Sequence, residues 1–434
     1  MRAANAFIAA LTPELRVKTQ YTVDDHEWRK WANVHRYPRQ GVSYDEMGQA
    51  QKAAAHALLA ASLSAKGLKQ SEDIMHLNET LAEPFKGVTT NGSVTPALYS
   101  IHSTGVSTEP VVRAANAFIT ALTREQRAKT QYTVDDDEWR KWANVHRYPR
   151  QGVSYDEMGP AQEAAAHALL AASLSAKGLK QSEDIMHLNE TLPELNDNNF
   201  EEYGEGKYYL TVMGTPSATE PWGWQIDGHH LIVNYFVLGD QVVMTPSFWG
   251  SEPAVATSGK YAGTRIMDDE QHAGLAMVRS LTTQQRERAV LEPKKTGNNI
   301  RAQLFSDNVV IDYAGVPVSS FTASQKEQLV ELIALYVGNL RDEHARVHLA
   351  DVTARLDETY FAWVGETNDD SVFYYRIHSP VVLIEFDHQT PVGLTHLYPR
   401  GVPYKEHIHA VVRTPNGNDY GKDLLRQHYK RHPH

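Results

Sequence analysis

The chain contains no cysteine, which removes disulfides, thiolate nucleophiles, iron–sulfur clusters and cysteine-ligated zinc from the chemistry open to it. No run approaches the eighteen or so consecutive apolar residues that a membrane-spanning helix needs, so no membrane partner is expected. Positive charge is in short supply: 42 Lys and Arg stand against 53 Asp and Glu, a formal net charge of −11. Phosphate binding needs a concentrated basic surface, so no nucleic-acid partner is expected either. Familiar catalytic signatures are also missing. There is no Gly-x-Gly-x-x-Gly after a strand, no Gly-Lys-Ser/Thr phosphate loop, no Gly-x-Ser-x-Gly elbow and no His-Glu-x-x-His helix.

What is there is a chain of 434 residues, 41% hydrophobic, long enough for two or three domains and a sizeable core. Histidine, at 21 residues, is the one ionisable type in excess. The segment Arg2 to Leu81 recurs as Arg113 to Leu192 at a constant offset of 111, with seven differences. Solenoid repeats keep only their structural positions; identity at this level marks a recent tandem duplication or the joining of a duplicated exon. Met1-Arg2 runs into Ala3 to Leu11, which is repeated inside the chain. It therefore reads as a helix rather than an export leader, and a cytoplasmic protein is expected.

Each copy reads as helical. Thr123 with Gln126 forms a capping-box pattern, and Asp135 to Asp137 offer caps for a helix carrying Trp139 and Trp142. An alanine-rich helix is expected from Ala161 to Ala176, stopping at Lys177-Gly178. Residues 83–112, rich in Thr, Ser, Gly and Pro, read as a linker. From Glu194 strand formers take over: Lys207 to Met213, Trp224 to Val237 with a turn at Gly239-Asp240, Val372 to Ile377, Val381 to Phe386, and His407 to Arg413. Helices open between them at Thr282 with Gln285 and Thr322 with Gln325. The pattern predicts an α+β fold, an antiparallel sheet packed with helices and preceded by a duplicated all-helical segment. The expected boundaries are 1–82 for the extra copy, 83–112 for the linker and 113–434 for a complete domain. That domain is helical over 113–193 and sheet-containing over 194–434.

Two segments carry the chemistry. Trp222 to Val237 places His229 and His230 in what reads as a buried strand. Glu406 to Val412 places His407 and His409 two residues apart, on one face of another. Only one of His229 and His230 can share that face. Three imidazoles with an open fourth position would suit zinc, alternatively copper or iron. Glu385 and Asp387 share one face of Val381 to Asp387, where they could orient ligands or act as a general base; the plainer alternative is a salt bridge to Arg376 or Arg413. Trp222, Trp224, Trp249, Tyr375 and Arg376 are candidates for a substrate pocket, and Phe248 to Pro253 reads as a loop at its rim.

Trp222 to His230, Tyr374 to His378, Leu383 to Asp387 and His407 to Arg413, followed by Asp419-Tyr420-Gly421, resemble the family catalogued as domain of unknown function 3500. The resemblance spans about Arg113 to Tyr429 and implies domain boundaries without implying a mechanism. From the residues themselves, the leading expectation is a metal-dependent enzyme hydrolysing a small organic substrate. The alternatives are a copper or iron oxidoreductase, and a non-catalytic binding protein with structural histidines. The near-identical copies also suggest a homo-oligomer formed by swapping the helical segment.

Overall fold

The computed structural model describes residues 2–30, 40–64, 66–69, 71, 98–146, 148–303 and 309–432. It divides into two compact units, Met1–Pro84 and Phe85–His434. In the first unit the described residues form the helices Arg2–Ala10, Pro13–Val17 and Gln49–Ser62, with single turns at His26–Arg29 and Tyr44–Glu46. Few of its side chains are buried, among them Leu11, Met47 and Ala55.

The second unit is built on one mixed sheet of thirteen strands. They are β1 (Gln131–Tyr132), β2 (Val153–Ser154), β3 (Tyr208–Met213), β4 (Trp222–Gly228), β5 (Leu231–Leu238), β6 (Gln241–Val243), β7 (Ser247–Ser251), β8 (Val290–Glu292), β9 (Val316–Pro317), β10 (Tyr360–Gly365), β11 (Phe373–His378), β12 (Leu383–His388) and β13 (Ile408–Arg413). The order is β1-β3-β4-β5-β7-β13-β12-β11-β10-β8. Pairing is antiparallel throughout the centre, as expected, but each outermost pair, β1–β3 and β8–β10, is parallel. The fold is α+β.

Its two halves repeat one plan. In the first, the helix Glu109–Ala121 and the capped helix Arg124–Thr130 lead to β1, beside β3. β2 then pairs with β3, and the helices Pro160–Ser173 and Ala176–Leu195 precede β3, β4, β5 and β7. In the second, Asp268–Ser280 and Thr283–Ala289 lead to β8, beside β10. β9 pairs with β10, and Ala323–Val337 and Asp342–Thr353 precede β10 to β13. The capping boxes at Thr123/Gln126, Thr282/Gln285 and Thr322/Gln325 all form. β7 and β13 join the halves.

Strand alternation sorts the sheet into two faces. Trp222, Trp224, Trp249, Tyr375, Ile408 and Ala410 belong to the main core beneath the helices. Trp139, Trp142, Ile232, Phe248, Ala302, Leu383, Val411, Tyr420 and Leu424 form a second cluster on the other face. Both faces are covered, so the central strands are buried along their whole length.

Several sequence expectations are corrected here. Lys177-Gly178 does not stop the alanine-rich helix. The break falls at Leu174-Ser175, and Ser175 caps a new helix that runs through Gly178. Gly178 is required by close packing, since a Cβ there would lie 2.1 Å from the Asn339 carbonyl oxygen. Phe248 to Ser251 are not a rim loop but most of β7, the strand that joins the halves. Glu109 to Val112, read as linker, form the first turn of a helix. Residues 83–97 of that range lie outside the described residues.

Candidate metal centre

The stretch 222–237 is two strands rather than one. β4 ends at Gly228, β5 begins at Leu231, and His229-His230 are the turn between them. His230 has φ 70°, a left-handed conformation that costs a residue with a Cβ on the order of 1–2 kcal/mol. That conformation accompanies a precise placement. The Gly250 N–H donates to the His230 carbonyl oxygen at 2.9 Å, and Gly250 is also the register partner of His409 on β13. A Cβ at Gly250 would lie 2.4 Å from the Ile408 carbonyl oxygen and 3.3 Å from the His409 ring. Glycine here lets the histidine turn and the histidine strand meet.

They meet through their ring nitrogens. His409 Nε2 lies 3.1 Å from His230 Nε2 and 3.0 Å from His407 Nε2. All three residues are buried, and one ligand atom from each fits within 4.8 Å of the others. Among the described residues this is the one such group of potential metal ligands. His229 takes no part in it. Its ring stacks on His230 with centroids 3.8 Å apart, and its Nδ1 lies 2.9 Å from Asn189 Oδ1.

The opposite ring nitrogens set the tautomers. His407 Nδ1 lies 2.7 Å from the Thr390 carbonyl oxygen, which can only accept, so this nitrogen carries the proton. His409 Nδ1 lies 2.9 Å from Gln303 Oε1, a shorter contact than the 3.4 Å to Asn144 Nδ2, and is assigned the same way. Burial holds all three imidazoles below the ordinary histidine range, with neighbouring histidines adding to the effect at His230 and His409. Neutral and protonated at Nδ1, His407 and His409 turn bare Nε2 lone pairs toward one another, and His230 Nε2 lies beside that of His409. Lone pairs 3.0 Å apart repel unless a proton or a cation lies between them.

The surrounding carboxylates position this arrangement. Glu385 Oε2 accepts from the backbone N–H groups of Arg301 and Ala302, while Oε1 accepts from the Tyr374 hydroxyl. Asp387 accepts from the N–H groups of Asn299 and Ile300 and is paired with the fully buried Lys295 at 2.6 Å. Both therefore hold the backbone that delivers Gln303 to His409. Neither forms the salt bridge to Arg376 or Arg413 weighed from sequence, because Arg376 donates to the Asp312 carbonyl oxygen and Arg413 pairs with Asp419.

Trp222, Trp224, Trp249 and Tyr375 occupy the core under the helices, on the face opposite His409, Glu385 and Asp387. They do not line the histidine site. Alternation along each strand separates them from it, and aromatic content alone does not reveal which face a residue takes.

Five contributors went unread in the sequence. Glu252 is buried, accepts from the N–H groups of Val392 and Gly393 and from the Tyr404 hydroxyl, and lies 3.8 Å from His407 Nδ1. It thereby fixes the loop whose Thr390 carbonyl orients His407. A lone carboxylate following the apolar Phe248-Trp249 was the available signal. Gln303 and Asn144 approach His409 from two separate loops, Asn144 Nδ2 at 3.4 Å, and had no local signature. His146, half-buried, stands edge-on to His229 with centroids 5.5 Å apart, and its Nε2 lies 2.7 Å from Glu202 Oε1. Arg150 holds this loop by donating to the carbonyls of Val145 and His146 and pairing with Asp227 at 3.2 Å.

The segments that supply these groups are those matched by a known family. A sequence profile described as a protein of unknown function, DUF3500, covers residues 1–102 and 104–422. The chain belongs to this family. Comparison with curated proteins and with solved structures finds no match. Within the DUF3500 match lie His230, His407, His409 and every group described above as orienting them.

Proposed function

We propose that His230, His407 and His409 bind one transition-metal ion, and that the chain is a hydrolase acting on a small organic substrate. The observation that carries this reading is the pair of Nδ1 contacts at His407 and His409, which leave unprotonated Nε2 atoms converging with that of His230. Three neutral imidazoles form a ligand set that suits zinc, and ligation leaves positions for water and substrate. His230, His407 and His409 would hold the ion, and a zinc ion held there would supply a water of pKa about 7, and so hydroxide near neutral pH.

The rest of the chemistry belongs to the protein. Glu252, Glu385 and Asp387 act as positioning groups, because their oxygens are engaged with the loops that orient His407 and His409. Ligand orientation of this kind is commonly worth ten- to a hundredfold in metal affinity. His146, paired with Glu202 and reaching solvent, is placed to pass a proton between the interior and bulk water.

The same all-nitrogen set accommodates copper or iron, which would make the reaction an oxidation. Metal content decides between them. Protein purified without a histidine tag and without chelators is expected to carry near-stoichiometric zinc by mass spectrometry, and His407→Ala and His409→Ala are expected to lose it while staying folded. Near-stoichiometric copper or iron would replace hydrolysis by oxidation. Protein that holds no metal and takes none up on titration would overturn the proposal.

A further inference from the structure

The plan shared by the two halves of the second unit gives its sheet two comparable ends, and the histidine centre occupies one of them. The Ser175 N–H donates to the Asn339 carbonyl oxygen and the Arg341 N–H to the Ser173 carbonyl oxygen, both at 3.1 Å. Reciprocal contacts of this kind relate two similar parts by an approximate two-fold axis, and the antiparallel β7–β13 pair obeys the same relation. At the first end the β4–β5 turn presents His229 and His230. At the second, a cavity of about 310 Å³ is bordered by Val381 of the β11–β12 connection, Val243 of β6 and Thr414 just past β13. Its volume falls among those of small-molecule sites, about 300–1,000 Å³. Thr414 stands five residues beyond His409, about 16 Å at the rise of a strand. The cavity is therefore separate from the histidine centre.

One wall of it is a fixed strap, residues 98–104. The His102 N–H donates to Gln241 Oε1 at 3.0 Å, and Gln241 Nε2 donates back to the Ser100 carbonyl oxygen at 3.1 Å. Asp240 accepts from the N–H groups of Thr104 and Gly105, and the Tyr99 hydroxyl donates to the Pro415 carbonyl oxygen at 2.6 Å. A wall held in this way is preformed, which lowers the ordering cost of binding.

Another wall is the helix Asp342–Thr353 with the turn after it, which contributes His344, His348, Asp351 and Arg355. Spacings of four, three and four residues put them on one stripe. His344 is only 4% exposed and lines the cavity, yet its ring has no hydrogen-bond partner among the described residues. A buried polar group in that state is unfavourable, and a ligand that bonds to it stabilises it. Burial lowers His344 to about 4, so the neutral ring offers one donor and one acceptor. Nearer solvent, Asp351 is exposed and Arg355 half-buried. They do not pair with each other. Arg355 Nη1 donates to Glu358 Oε1 at 3.0 Å, and its other guanidinium nitrogens have no partner among the described residues.

We propose that this cavity binds a small zwitterionic α-amino acid, its carboxylate on Arg355, its ammonium group on Asp351 and a polar side chain reaching His344. The two charges select for both signs at once. A simple carboxylate on Arg355 would lie beside Asp351, and a simple amine on Asp351 would lie beside Arg355, so each would meet a like charge as well as an opposite one. An ammonium and a carboxylate on one carbon satisfy both. Val242, Val347 and Leu424 give the remainder of the molecule apolar surface.

The test is to titrate the full-length protein with free amino acids one at a time, reading binding by calorimetry and by the rise in melting temperature. One or a few polar amino acids are expected to bind, and the matching hydroxy acid and decarboxylated amine are each expected to bind about tenfold more weakly or worse. Arg355→Gln and Asp351→Asn, neither in the core, are each expected to weaken binding by about tenfold or more. Ala354→Trp, at an exposed position lining the cavity, is expected to block binding with the melting temperature of the free protein unchanged. His407→Ala is expected to leave binding as it was. Failure of every standard amino acid to bind would overturn the proposal, as would binding that survives both Arg355→Gln and Ala354→Trp. A hydroxy acid bound as tightly as the amino acid would remove Asp351 from the site and overturn the ligand class. Binding lost in His407→Ala but kept in Arg355→Gln would put the ligand at the histidine centre and overturn the proposal as well.

Discussion

At the His409 end of the β7–β13 pair, three buried rings bring their Nε2 atoms together, whereas at the Arg413 end the buried charge meets its opposite. Arg413 Nη1 lies 2.8 Å from Asp419 Oδ2, its Nε donates to the Ala302 carbonyl oxygen, and Asp419 Oδ1 accepts from the Thr414 N–H. Both ends lie on the same face of the same strand, and the side chains at both are buried. One is electrostatically closed and holds the fold. The other is built from groups of one kind, a set of three imidazoles that could hold a metal ion. The two halves differ accordingly in their hairpins. The β11–β12 connection contains Ser379, whose hydroxyl accepts from the N–H groups of Val381 and Val382, while the equivalent β4–β5 connection holds His229 and His230.

If that contrast is right, the two ends should fail differently. The largest effect is expected at the closed end. Arg413→Ala or Asp419→Ala leaves a buried charge without its partner and should cost about 3–5 kcal/mol in a denaturant titration, with metal uptake per folded molecule unchanged. At the open end, His409→Ala should weaken metal binding more than about a hundredfold by competition with a chelator, with little loss of stability in the metal-free protein. Loss of metal from Arg413→Ala, or unfolding of His409→Ala, would erase the distinction.

Acid should sharpen it. His388 and His378, outside the metal set, are pushed down to about 3 by burial. Below pH ~6.5 the unfolded chain takes up protons that the folded chain refuses, so stability falls as pH drops toward 3. Each group contributes up to about 1.4 kcal/mol per pH unit in that window. Melting temperatures from pH 7.5 to 4.5 should fall, and His388→Gln should flatten the slope. The smallest effect is expected from Glu252→Gln, which keeps the shape and removes the charge near His407. Metal affinity should drop about tenfold, and a change confined to stability would remove Glu252 from the site.

The histidine strands were legible because His407 and His409 sit two apart in an apolar run, and two-residue periodicity specifies a face without further information. The capping boxes were legible for the same local reason. β7 was not, because Phe248 to Ser251 is short, flanked by Pro246 and Pro253, and becomes a strand only through pairing with β5 and β13. The histidine turn was hidden by its flanks: Ile226 and Leu231 continue an apolar pattern straight through residues that reverse the chain. Gln303 and Asn144 reach His409 across sequence separations of 106 and 265 residues, and no local pattern encodes a contact of that kind. The face taken by Trp222, Trp224 and Trp249 was equally undetermined, since strands buried on both sides lose the polar alternation that would orient them.

Gly250 makes this centre vulnerable to a kind of loss that a survey of its histidines would miss. It is the register partner of His409 and the hydrogen-bond donor to His230, and it has no room for a methyl group. A lineage that exchanged this one residue for alanine would keep His230, His407 and His409 in its sequence while the two strands carrying them were forced apart. Retention of the three histidines is therefore an incomplete mark of a working site among relatives, and the identity of the residue at position 250 belongs in the same test.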